Sequence, residues 1–136
     1  MNVLLALAWP QHEFHAPAHQ RLARSGSWAT CALTQLSFLR LSSTPALSPA
    51  AASISGASAM LALLVSDARH RYVEAMPAPM DARFAMGVDR LQGPGQLADA
   101  YLLALARRDG ATLLTFDRRM AALASADELE ILPAPG

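Results

Sequence analysis

The sequence predicts an α/β protein, a three-layer sandwich in which helices flank a parallel sheet. Two observations carry that expectation. Short apolar strand-like runs alternate with longer helical patterns along the chain, the order that builds strand–helix–strand units. The 136 residues, 53% of them hydrophobic, suffice for one domain (residues 1–136) with a real core and exclude a disordered chain.

The elements follow in order. Apolar residues 3–9 fit a short buried helix stopped by Pro10. Polar, His-rich residues lead to a helix over 15–25, with Pro17 tolerable in its first turn and Gly26 ending it. Residues 27–31 read as a strand. Leu36, Leu39 and Leu41, with Phe38 among them, give residues 34–41 the spacing of a buried helix, closed by Ser42-Ser43-Thr44-Pro45. The Ala/Ser/Pro-rich segment 46–53 is a loop. Residues 54–68 form a helix with Ser53 or Ser55 as N-cap, and 71–74 a short strand. A Met76-Pro77-Ala78-Pro79 turn precedes a predicted helix over 81–90, and Gln92-Gly93-Pro94-Gly95 breaks the chain. An apolar helix then runs into the turn Arg107-Arg108-Asp109-Gly110, and a short strand leads to Asp117. A last strand over 129–132 ends in a Pro-Ala-Pro-Gly tail.

Composition narrows the function. Eleven basic residues, all arginine, balance eleven acidic ones, so bulk charge does not announce a nucleic-acid binder. The lone Cys31 cannot form an internal disulfide, which suits a reducing, cytoplasmic setting, and its apolar surroundings suit a buried thiol rather than a nucleophile. No run approaches the roughly 20 apolar residues that span a bilayer, so no membrane partner is expected. Residues 3–9 are short for a signal segment and no positive charge precedes them.

The segment Q-L-A-D-A-Y-L-L-A-L-A-R-R-D-G-A-T-L-L-T-F-D-R-R-M, residues 96–120, is the most informative stretch. It sets Asp99 at the head of an apolar helix and Asp117 just past an apolar strand. In a parallel α/β unit a helix N-terminus and a strand C-terminus share the sheet edge where ligands bind. Two carboxylates converging there are the donors a hard cation such as Mg²⁺ wants, and Thr115 adds a hydroxyl for a water or phosphate. The same residues also suit plain structure. Asp99 is favoured by the helix dipole, and Asp117 caps a helix starting at Arg118.

Four strings break that tie. Asn2-Val3-Leu4-Leu5-Ala6-Leu7-Ala8-Trp9-Pro10, the run from Trp28-Ala29-Thr30-Cys31 through Thr34-Gln35 to Arg40-Leu41, Asp99-Ala100-Tyr101-Leu102-Leu103, and Thr115-Phe116-Asp117-Arg118 together resemble the PIN-domain family. They look specifically like its VapC-type toxins from bacterial toxin–antitoxin pairs. The likeness covers residues 2 to about 132, in order and spacing. It implies a Mg²⁺- or Mn²⁺-dependent endoribonuclease on a parallel five-stranded, Rossmann-like sheet, with three or four carboxylates over the strand ends. It also implies an RNA substrate, often structured RNA, cut to leave a 5′-phosphate and a 3′-hydroxyl. A cognate antitoxin and a homodimer are the implied protein partners. On this resemblance Asp99 and Asp117 hold the metal, while Asn2 and Thr115 position water and ligands. Gln35 contributes at second rank. Arg40, following a buried helix, suits RNA phosphate or a surface or structural ion pair equally.

Two departures stand out. The family's opening, central strand ends in Asp-x-Asn; here Asn2 takes the Asn slot and Met1 the middle one, so that strand and its aspartate are missing. Dropping a central strand exposes backbone and apolar faces, so the economical expectation is a start assigned too late. Gln35 stands where the family commonly has Glu, keeping an oxygen but losing the charge. These departures favour the main alternative, a catalytically impaired PIN-like domain that binds RNA or a protein. A nucleotide-binding α/β module lacks its glycine-rich phosphate loop here. His12, His15 and His19 invite a zinc reading, but no further Cys or His completes the set, and a solvated helix start is the simpler account. Arg107 and Arg108 at a helix end read chiefly as dipole-favoured surface charges.

Overall fold

A computed structural model describes residues 2–46, 53–84 and 86–135. It is an α/β structure of helices and parallel strands, gathered into two compact units. One comprises the described residues up to Glu74 together with those after Leu132; the other is Ala75–Leu132. Apart from its ends, the loop expected over 46–53 lies outside the described residues. Among the described residues no helix is long and apolar enough to cross a membrane.

The first unit opens with α1 (Asn2–Ala8) and α2 (His15–Ala23), then β1 (Trp28–Cys31), α3 (Ala32–Ser42), α4 (Ile54–Val65) and β2 (His70–Val73). Strands β1 and β2 run parallel, with Trp28 opposite His70 and Cys31 opposite Val73. The chain between them passes through α3 and α4, as a parallel connection requires. Helix α1 packs on α2, α3 and α4, burying Leu4, Ala6 and Leu7, and Phe38 on α3 is wholly enclosed. The entry into α3 is fixed locally. The Cys31 amide donates to Thr34 Oγ1 at 3.0 Å, closing the turn in which strand becomes helix. Ser53 caps α4, accepting from the Gly56 amide at 3.0 Å.

The second unit holds α5 (Leu97–Arg108), β3 (Leu113–Thr115), a 3₁₀ segment (Arg118–Leu123) and β4 (Leu129–Ile131). Strands β3 and β4 are again parallel, Leu113 opposite Leu129 and Thr115 opposite Ile131. Leu103, Met120, Leu123 and Leu129 form its core. Helix α5 ends in a Schellman turn. Gly110 takes φ +65°, the Ala111 amide donates to the Ala106 carbonyl at 2.8 Å, and Gly110 donates to Arg107 at 3.2 Å. That turn sends the chain directly into β3.

Three expectations need correcting. No α-helix forms over 81–90 among the described residues. The Asp81 carboxylate accepts from the Arg83 amide at 2.9 Å, a turn that competes with helix, and Gly87 at φ +65° leaves only a 3₁₀ turn at Val88–Arg90. Helix α4 stops at Val65 rather than 68, because Asp67 turns back to accept from the Arg69 amide at 2.8 Å. Helix α3 buries the i, i+4, i+8 stripe Thr34, Phe38 and Ser42, which leaves Leu36 65% exposed.

Candidate active site

The second unit brings Asp99 and Asp117 into electrostatic contact. Asp99 is the third residue of α5, on a helix whose next six residues are all buried. It is half-buried itself. Asp117 leaves the end of β3 through a turn fixed by its neighbour: its amide donates to Thr115 Oγ1 at 3.1 Å, and Thr115 is 4% exposed. The Thr115 carbonyl accepts from the Leu132 amide at 2.7 Å, tying the turn to the end of β4. The Asp117 carboxylate caps the 3₁₀ segment, accepting from the Arg119 amide at 3.0 Å. It is also gripped by the Arg119 guanidinium, Nε to Oδ1 at 3.0 Å and Nη2 to Oδ2 at 2.8 Å.

The environments push the two acids apart. Burial raises the Asp99 pKa above the ordinary carboxylate value, and the Asp117 charge raises it further. Hydrogen bonds from the Arg119 side chain lower that of Asp117. Two carboxylates whose environments push their pKa values apart make a functional-site candidate, as structural ion pairs such as Asp117–Arg119 shift pKa values too. As donors they fit a small hard cation, which is usually held by one or two carboxylates with water and substrate oxygens completing the shell. Among the described residues no group of three His, Cys, Asp or Glu side chains is placed to hold a metal ion.

The first unit holds the remaining candidates. Asn2 opens α1; its side chain lies outside what is described. Gln35, on the first turn of α3, donates from Nε2 to Thr30 Oγ1 at 2.9 Å, and the same oxygen lies 2.8 Å from His70 Nε2. The Gln35 amide is thus oriented by its nitrogen, with Oε1 as its remaining acceptor. Arg40 is exposed near the end of α3. The histidines at α2 serve neither zinc nor solvent alone. His15 Nδ1 meets the Ala6 carbonyl at 2.7 Å and His19 Nε2 the Leu7 carbonyl at 2.9 Å, satisfying acceptors at the end of α1. Arg107 and Arg108 are engaged internally, Arg107 with Glu128 at 2.9 Å and Arg108 with the Ala75 carbonyl at 2.7 Å.

The profile of the PIN-domain family matches residues 2–126. Three curated relatives agree. Ribonuclease VapC38 of Mycobacterium tuberculosis (strain ATCC 25618 / H37Rv) is 36% identical over 126 residues, spanning 91% of this chain and 86% of its own. Ribonuclease VapC39 of the same strain is 34% identical over 134 residues, 97% of this chain and 96% of its own. Ribonuclease VapC44, also of that strain, is 34% identical over 123 residues, 89% and 85% of the two chains. The chain belongs to the PIN-domain family, and its relatives place it on the VapC side of it.

Within this PIN domain, sequence reasoning missed Arg119, Thr30 and His70. Arg119 was legible in principle: an arginine two residues after an N-cap aspartate can reach back to it. The Thr30–His70 contact joins residues forty apart, and nothing short of the β1–β2 register could have revealed it.

Proposed function

We propose that this protein is a metal-dependent endoribonuclease, the toxin of a toxin–antitoxin pair, working in the cytoplasm as a homodimer restrained by a cognate antitoxin. The fold that goes with this reading is a three-layer sandwich of helices flanking a parallel sheet. The observation that carries the reading is the Asp99–Asp117 pair: a half-buried acid in the first turn of α5, its pKa raised by burial and by the charge of a second acid just past β3. The relatives named as ribonucleases supply the substrate class.

Asp99 and Asp117 would hold Mg²⁺ or Mn²⁺. Such an ion neutralises phosphodiester charge and makes a nearby water a better nucleophile. The chain's own work is placement. Thr115 fixes the Asp117 turn and Gln35 has an amide oxygen oriented by Thr30, while Asn2, on the family resemblance, would add a further polar group and Arg40 would offer phosphate a bidentate fork. The test is Asp99→Asn, expected to abolish Mg²⁺-dependent RNA cleavage and growth arrest on expression. Undiminished cleavage by that variant would refute the assignment.

Gln35 favours a second reading, a PIN domain weakened in catalysis that binds RNA or a protein. Its neutral amide donates to Thr30 where the family's glutamate would bring a charge. Calorimetry with Mn²⁺ separates the two: micromolar binding supports the nuclease, and absence of binding supports the weakened domain.

A further inference from the structure

We propose that Arg119 is a working residue of this site: it is the counter-cation of Asp117 before a metal arrives, and it turns to substrate phosphate afterwards. The inference rests on the reading of Asp99 and Asp117 as the cation site.

Both carboxylate oxygens of Asp117 are occupied by one guanidinium, Nε on Oδ1 at 3.0 Å and Nη2 on Oδ2 at 2.8 Å. These are the atoms a divalent cation would take. The grip is strong in geometry and weak in energy. The Arg119 side chain is 84% exposed against 21% for Asp117, and an ion pair that open to water contributes little. A divalent ion carries twice the charge and repels the guanidinium it displaces. The 3₁₀ backbone anchors Arg119 independently, because its amide donates to Asp117 Oδ1 at 3.0 Å. The displaced side chain therefore remains tethered beside the site, where its planar fork suits phosphate oxygens.

A structural salt bridge predicts the opposite behaviour, since loss of Arg119 would then loosen Asp117 and weaken metal binding. The experiment titrates Mn²⁺ by calorimetry into wild type, Arg119→Gln, Arg119→Lys and Asp117→Asn. It then follows a fluorescent single-stranded phosphorothioate RNA 15-mer by anisotropy across salt concentrations with Mn²⁺ saturating. Arg119→Gln should bind Mn²⁺ about fivefold more tightly, the release of a surface ion pair. Its RNA affinity should fall with a salt slope smaller by about 0.7, one phosphate contact on a single strand. Arg119→Lys should keep the salt slope. Unchanged or weaker Mn²⁺ binding by Arg119→Gln, with wild type binding and Asp117→Asn not, overturns the role of Arg119 alone. An unchanged salt slope removes its phosphate contact. No Mn²⁺ binding by folded wild type overturns the site reading and this inference together.

Discussion

Replacing Thr115 by valine tests whether the β3–Asp117 turn is built for the site. Valine fills nearly the same space but cannot accept a hydrogen bond, and Thr115 Oγ1 accepts from the Asp117 amide at 3.1 Å. With Thr115 only 4% exposed, little room exists for water to replace the lost acceptor. Asp117 itself is half-buried, so the freed amide regains only part of its hydration. The net cost should be about 1 kcal/mol, seen by calorimetry as a melting temperature lower by roughly 3–4 °C for a chain this long. The functional cost should be larger. A hydrogen bond that orients a metal-binding carboxylate is typically worth ten- to a hundredfold in metal affinity, so Mn²⁺ should bind about tenfold more weakly. Thr115→Ser keeps the acceptor and should restore both quantities. If Thr115→Val matched wild type in melting temperature and Mn²⁺ affinity, the turn would owe its geometry to something other than this hydroxyl.

Asp99→Asn should trade activity for stability. Folding raises the Asp99 pKa above its ordinary 3.8, so the stability linked to the protonated form is complete below that value and lost as pH rises through the folded-state value. The variant should therefore be the more stable protein at pH 7, with the difference closing toward about pH 3; equal denaturation midpoints at pH 7 would count against the burial argument. Asp117 has the opposite sign, its pKa lowered by Arg119, so its stabilisation is present above the ordinary 3.8 and fades as pH falls below it. Arg119→Gln should accordingly be less stable than wild type at neutral pH, with the difference shrinking as pH falls below the ordinary 3.8 in a pH-dependent melt. Gly110→Ala meets no neighbouring atoms but forces an L-residue to φ +65°, and should cost about 1–2 kcal/mol in urea unfolding. Phe38→Ala, emptying a site that is 0% exposed, should cost about 3–5 kcal/mol by the same measurement.

Much of this was legible in the chain because it is encoded locally. The boundaries of α5, the Gly110 turn and the placement of Asp99 and Asp117 all arise within the segment from α5 to Asp117, where propensity, capping and glycine chirality agree. The segment 81–90 misled because an Asp81 side chain and a left-handed Gly87 outweighed modest helix propensity. The buried stripe of α3 misled because leucine was assumed to face inward, while Thr34 and Ser42 are buried with their hydroxyls satisfied by Cys31 and Trp9. The histidines of α2 could not be read at all from spacing. Their partners are backbone carbonyls of α1, which carry no residue-type signature.

The two aspartates do not argue for function equally. Asp117 fulfils the bland role in full: it caps a 3₁₀ segment, pairs with Arg119 and has its pKa lowered, all of which stabilise the fold. Nothing in that requires a ligand. Asp99 is the discriminating residue. An acid in the first turn of a helix should gain from the dipole, which favours its charged form and lowers its pKa. Here the shift runs upward instead, led by burial, with the neighbouring Asp117 charge adding to it. A helix that needed only a favourable first turn would carry its acid exposed and away from a second one. The chain instead holds a carboxylate where burial disfavours its charge, and the proposed cation would relieve that by neutralising both acids at once. The functional reading therefore stands on Asp99, and Asp117 becomes informative through the arginine that guards it.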